Sequence, residues 1–101
     1  YYFHAKDSIV DSINCASNGV LDTKHYSDEL HRSWLFRTVG YGHGYQVWKN
    51  IFSNLRMAGY DDVISIEHED SLMSVNEGLK KAIAFLRETI PFEQTGGMWW
   101  A

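Results

Sequence analysis

"DDVISIEHED", residues 61–70, sets a short β-branched apolar run against four consecutive ionisable side chains, Glu67, His68, Glu69 and Asp70. "VISIE", residues 63–67, has the nearly continuous apolar character expected of a parallel-sheet strand covered on both faces. A carboxylate ending such a strand costs free energy unless a metal ion, an arginine or a lysine compensates it. Alternation along the strand separates the neighbours. Glu67 is the last residue in register, His68 points the opposite way, and Glu69 and Asp70 fall in the loop with a supporting or merely solvated role.

Working outward, helices flank this strand. Val47, Trp48, Ile51, Phe52, Leu55 and Ala58 recur at three- and four-residue steps, and Gly59 stands just past the last of them, which predicts a helix near 45–58 with a left-handed glycine cap. "SVNE", residues 74–77, reads as a capping box in which Ser74 accepts from the Glu77 amide and Glu77 reaches back. Val75, Leu79, Ala82, Ile83, Leu86 and Ile90 then line one face up to Pro91, a helix near 75–90. At the other end, "YYFHAK", residues 1–6, is a short aromatic strand stopped by Lys6 and Asp7. Residues 8–44 show no sustained helical period. Turn signals recur at "SNG", "DTK" and "GYGHG", and a functional loop or two small strands, "GVL" and "WLFRTV", are the alternatives for this stretch.

Strand, long loop, helix, strand, loop, helix amounts to two βα units, which implies a parallel sheet with ligands gathering at the carboxyl ends of its strands. Two parallel strands expose too many edges to stand alone. The chain, opening on a strand residue, is therefore expected to be a fragment or one part of an assembly, its missing strands supplied by a longer polypeptide or by another copy in a homo-oligomer. Its 101 residues fall well short of the about 250 of a complete (β/α)₈ barrel.

Composition narrows the function. With 45% hydrophobic and 22% charged residues the chain is expected to pack a core, and a net charge of −4 with scattered Lys and Arg gives no footprint for nucleic acid. One cysteine, Cys15, makes no internal disulfide and has no partner spaced for nucleophilic chemistry. No stretch resembles a signal peptide or a membrane span, so the expected setting is cytoplasmic. "MWW", residues 98–100, sets two tryptophans in an otherwise polar, glycine-containing tail, which either docks on a partner or is an aggregation liability.

Four features bear chemistry. His4, near a strand end, is either a hydrogen-bonded edge histidine or a ligand for a divalent metal. Glu67 is either a ligand or the partner of Lys6 or Arg37 in a salt bridge. Together they supply two of the three or four protein ligands that a catalytic metal needs. "RTVGYGHG", residues 37–44, combines a glycine-permitted backbone path with Arg37 and His43, which suit an anionic or polyhydroxyl ligand; an ordinary flexible loop is the alternative. His25 and His31 sit among charges in a solvated segment, and Trp48 and Phe52 read as core.

The combination "FHAKD", "NGVLDTK", "RTVGYGH", "MAGYDDVISIEHED" and "EGLKKAIAFL" resembles the C-terminal part of the sugar phosphate isomerase/epimerase proteins of the xylose isomerase-like TIM-barrel superfamily. The resemblance spans nearly the whole of residues 1–101, with "SIEHED" the most specific piece. It implies an α/β fold in which this chain is about strands 7 and 8 of a (β/α)₈ barrel, with their helices, holding a divalent metal such as Mn, Mg, Co or Zn. His4 and Glu67 match the strand-seven and strand-eight metal ligands, and Glu67 also matches an acid/base carboxylate. Lys6, Asp7, Arg37 and His43 lie where such proteins place supporting and substrate-hydroxyl contacts. The implied substrate is a sugar or sugar phosphate, isomerised, epimerised or dehydrated; the acidic balance argues against the endonuclease relatives. The isolated chain is expected to be inactive. A non-catalytic assembly module and a sugar-binding protein of the same fold are the competing readings.

Overall fold

The computed structural model describes residues 2–94 and 96–98. In chain order the elements are β1 (Phe3–Ala5), β2 (Asp7–Val10), α1 (Ser12–Asn18), a 3₁₀ turn (Glu29–His31), β3 (Trp34–Arg37), α2 (Tyr45–Met57), β4 (Ile64–Ile66) and α3 (Val75–Thr89). The chain is thus mixed α/β. β1 pairs with β4 in parallel, with Phe3, His4 and Ala5 opposite Ile64, Ser65 and Ile66. β2 pairs with β3 antiparallel, with Ser8 opposite Phe36 and Val10 opposite Trp34. No helix of the described residues is long and apolar enough to cross a membrane.

Sheet alternation explains where the core lies. Phe3, Ala5, Ile64 and Ile66 turn to one side and pack with Val39, Trp48, Phe52, Ala82 and Leu86. Phe3 and Phe52 meet edge to face at 6.1 Å, and α2 and α3 lie against each other over this layer. The other face carries His4, Lys6, Ser65 and Glu67, all at least partly exposed. β4 is therefore covered on one face rather than both, because the described helices stand on one side only.

Local signals account for most of the boundaries. α2 ends in a Schellman motif: Gly59, at φ +86°, donates to Arg56 O and Tyr60 donates to Leu55 O, both at 3.0 Å. The Tyr60 hydroxyl then accepts from Phe3 N at 3.0 Å and donates to Val63 O, tying the helix end to both parallel strands. α3 begins with Ser74 accepting from Glu77 N at 3.1 Å. The expected capping box is half formed, since the Glu77 carboxylate faces Lys81 at 3.7 Å instead.

Residues 8–44 depart furthest from expectation. "WLFR" is a strand, but it pairs with "DSIV" and not with "GVL", because an antiparallel ribbon needs two alternating runs and residues 7–10 continue the β1 strand directly. The intervening α1 is capped by Asp11, which accepts from Ile13 N and Asn14 N, both at 2.9 Å. Asn14 and Asn18 donate to the carbonyls of Leu30, Arg32 and His31. The helix is held by polar bridges rather than by an apolar stripe, and none of its residues is buried. Of "MWW", only Met98 is described and it is exposed; Trp99 and Trp100 lie outside the described residues.

One packing contact carries a prediction. Alanine ordinarily favours a helix over glycine by about 1 kcal/mol, but a Cβ at Gly78 would stand 2.1 Å from His68 Cε1, and that ring is anchored through Nε2 to Met73 O at 3.2 Å. Gly78→Ala is expected to lower stability by roughly 1–3 kcal/mol in urea titration. In a His68→Ala background the same change becomes neutral or stabilising. A Gly78→Ala chain as stable as the parent would contradict this packing.

Candidate active site at the ends of the parallel strands

Because β1 and β4 run parallel, their carboxyl ends emerge side by side, and the alternate residues facing away from the helices meet there. His4 Nδ1 lies 3.5 Å from Glu67 Oε1, with the two side chains 57% and 45% exposed. Two ligands about 2.1 Å from one ion at a tetrahedral angle are about 3.4 Å apart, so this imidazole and carboxylate fit as two members of one coordination sphere. Ser65, opposite His4 in register, places its hydroxyl 2.6 Å from the same Nδ1, so an ion held between that nitrogen and Glu67 would take the place of this hydrogen bond. Among the described residues no group of three or more His, Cys, Asp or Glu is assembled to hold a metal, so further ligands would have to come from beyond them.

Lys6 completes the cluster. Its ammonium sits 2.9 Å from Glu69 Oε1 and 3.7 Å from Glu67 Oε2. The Glu69 hydrogen bond holds the lysine pKa above its usual value, against a smaller cost of desolvation. Of the two bases expected as salt-bridge partners for Glu67, Lys6 therefore takes that place. Arg37 does not, because Asp70 holds it.

Behind this face lies a second layer built on two buried aspartates. Asp7, 2% exposed, accepts from Gly40 N, Gly42 N, His43 N and the Trp48 indole through Oδ2 at 2.9–3.2 Å. Its Oδ1 accepts from Ser8 N at 2.9 Å and from His43 Nδ1 at 2.7 Å. Since a carboxylate only accepts, His43 carries its proton on Nδ1 and leaves Nε2 free to accept when the ring is neutral. A Cβ on Gly42 would lie 2.1 Å from Ser8 O, so glycine is what lets this loop close on the aspartate. Asp70, 7% exposed, accepts from Arg37 Nε, Thr38 N and Thr38 Oγ1 through Oδ2, and from Leu72 N through Oδ1.

Burial opposes ionisation of both aspartates, yet their hydrogen bonds prevail. The His43 ring and the amides of His43, Gly40 and Ser8 bring Asp7 below its usual range, and the Thr38 and Leu72 amides with Arg37 do the same for Asp70. A carboxylate with a depressed folded pKa contributes stability that is present above its unfolded pKa and lost as pH falls through the folded one. Unfolding midpoints in urea should therefore hold steady from neutral pH down to about 4 and fall steeply below it. The Asp7→Asn/Asp70→Asn double variant should show a shallower decline, and an equally steep one would assign the acid sensitivity to other groups.

The residues singled out in the sequence thus occupy two layers. His4, Lys6 and Glu67 share the open face, whereas Asp7, Arg37 and His43 line the loop behind it, with Asp7 inaccessible and Arg37 19% exposed. Three contributors were not singled out. Ser65 was legible, being two residues before Glu67 in the same strand and so on the same face. Asp70 carries no sequence signal separating it from Glu69, and Tyr26 reaches Phe36 only through the fold, its hydroxyl accepting from Phe36 N at 2.9 Å.

No family model matches the chain. It is 37% identical over 90 residues, 89% of its own length, to the uncharacterized protein YfiH of Bacillus subtilis (strain 168). The match covers 29% of that protein. The chain therefore spans less than a third of the relative's length.

Proposed function

We propose that this chain forms the C-terminal βα units of a xylose isomerase-like (β/α)₈ barrel and contributes part of the site of a divalent-metal-dependent sugar isomerase or epimerase. The observation that carries the reading is the juxtaposition of His4 and Glu67, 3.5 Å apart on the open face of a parallel strand pair. The one-sided sheet and the threefold greater length of the relative support the barrel, since both leave room for further strands.

In this reading His4, through Nδ1, and Glu67 would hold the ion, the ion displacing the Ser65 hydroxyl from that nitrogen. A divalent cation bound there would supply Lewis acidity to a sugar carbonyl and its neighbouring hydroxyl. Glu67 would remove the proton from the adjacent carbon, leaving an enediolate; that proton given to the other carbon, with the hydroxyl proton passing from one oxygen to the other, gives the isomer, and a proton given to the same carbon on its opposite face by a carboxylate from another strand gives the epimer. No net oxidation occurs. Lys6, 3.7 Å from Glu67 Oε2, fixes the position of the carboxylate. Asp7 acts through His43, fixing the tautomer that leaves Nε2 able to accept a substrate hydroxyl.

Metal analysis tests the proposal. A polypeptide carrying these residues together with the remaining strands should purify with a divalent ion, and His4→Ala should weaken its binding by at least about a hundredfold. Unchanged metal content in His4→Ala would overturn the assignment.

A further inference from the structure

A pocket of about 560 Å³ is walled by Tyr26, Phe36, His68, Glu69, Asp70, Ser71 and Val75, with Lys6 outside the wall. It adjoins the His4–Glu67 pair, because Lys6 both bridges Glu67 and Glu69 and lies 4.2 Å from the centre of the Phe36 ring. The aromatic wall is rigid. Tyr26 and Phe36 stack at 5.8 Å, Trp34 braces Phe36 at 4.9 Å, and the Tyr26 hydroxyl is fixed by the Phe36 amide.

The charges around this pocket decide what it takes. Glu67, Glu69 and Asp70 face Lys6 and Arg37, and each of these cations is already held, Lys6 by the two glutamates and Arg37 by Asp70. At the neighbouring start of α3, Ser74 occupies the Glu77 amide, and the Glu77 carboxylate stands in the first turn, which opposes an incoming anion. A phosphate would meet the Glu69 and Asp70 carboxylates, with Lys6 and Arg37 outside the wall already paired and the lining His68 ring bonded through Nε2 to Met73 O. A neutral sugar meets an apolar wall for its C–H face and carboxylate and hydroxyl oxygens for its hydroxyls.

We propose that this pocket holds the non-reacting end of an unphosphorylated sugar, with its apolar face against Tyr26 and Phe36 and a hydroxyl on Glu69. The assignment rests on the isomerase or epimerase reading for which end of the sugar reacts, and it adds that the substrate is the free sugar rather than its phosphate ester.

The test is aromatic-resonance NMR of the chain titrated with D-fructose and, separately, with D-fructose 6-phosphate. D-fructose should shift Tyr26 and Phe36, and the phosphate ester should bind at least about tenfold more weakly. Phe36→Leu, which keeps an apolar side chain in the hairpin, should abolish the D-fructose shifts. Glu69→Gln should narrow the gap between the two sugars by releasing Lys6, an effect that a merely structural glutamate would not produce. Tighter or equal binding of the phosphate ester, or no shift at Tyr26 and Phe36 with either sugar, overturns the proposal. Mn²⁺ broadening of His4, read in a polypeptide that carries these residues with the remaining strands, reports on the metal pair separately. Its absence with the sugar shifts intact would count against the isomerase reading and leave the pocket assignment standing.

Discussion

Asp7→Asn should lower the unfolding free energy by about 3 kcal/mol or more, the largest stability loss expected of any single substitution in this chain. Six donors converge on that carboxylate, from Ser8, Gly40, Gly42, Trp48 and both nitrogens of His43 that face it. Asparagine keeps the shape but offers one acceptor oxygen, and its amide N–H groups would confront donors already pointing inward. The loop spanning Gly40–Gly44 would lose its anchor together with the indole of Trp48, which is 3% exposed at the centre of the core. Urea unfolding followed by Trp48 fluorescence reads the loss directly. The same variant should free the His43 ring, seen as a change in its Nδ1 proton resonance. A loss under about 1 kcal/mol would mean that the converging donors find water or other partners at little cost.

Glu67→Gln should reduce turnover by about a thousandfold in a polypeptide that carries this segment with its remaining strands, because it would remove the proposed proton acceptor and the proposed charged metal ligand in one step. Glutamine is nearly isosteric, and Glu67 is substantially exposed, so folding should be little affected. That separation is the strength of the test. Unfolding midpoints should match the parent while turnover and metal affinity fall together, whereas His4→Ala should depress metal affinity first and recover part of its turnover as metal is raised. Retained turnover in Glu67→Gln would remove the proposed acid/base role outright.

The parallel strand pair and both long helices were legible because each is a local pattern with a physical stop. Gly59 ends α2 in the left-handed conformation expected of it, and Ser74 starts α3. The hairpin of β2 with β3 was half legible. "WLFR" reads as extended, but its partner is set by the continuation of the first strand past Lys6, which no periodicity announces. α1 was not legible, since its Asp11 cap and asparagine bridges replace the apolar stripe on which helix recognition depends. At the site, alternation sufficed to separate Glu67 from His68, which packs against Gly78 on α3. It could not separate Glu69 from Asp70, because past the strand end only the fold decides that one is exposed beside Lys6 and the other is buried under Thr38.

The stretch from Phe3 to Val10 serves two sheets at once, parallel to β4 through Ala5 and antiparallel to β3 from Asp7 onward. Its two pairings share a single register. One residue inserted beside Lys6 would leave His4 facing Glu67 while rotating every later side chain by half a period, turning Asp7 outward and Ser8 toward the loop amides. The spacing between the open-face histidine and the buried aspartate is thus a measure of length that the polypeptide has no means to change without unmaking one sheet or the other.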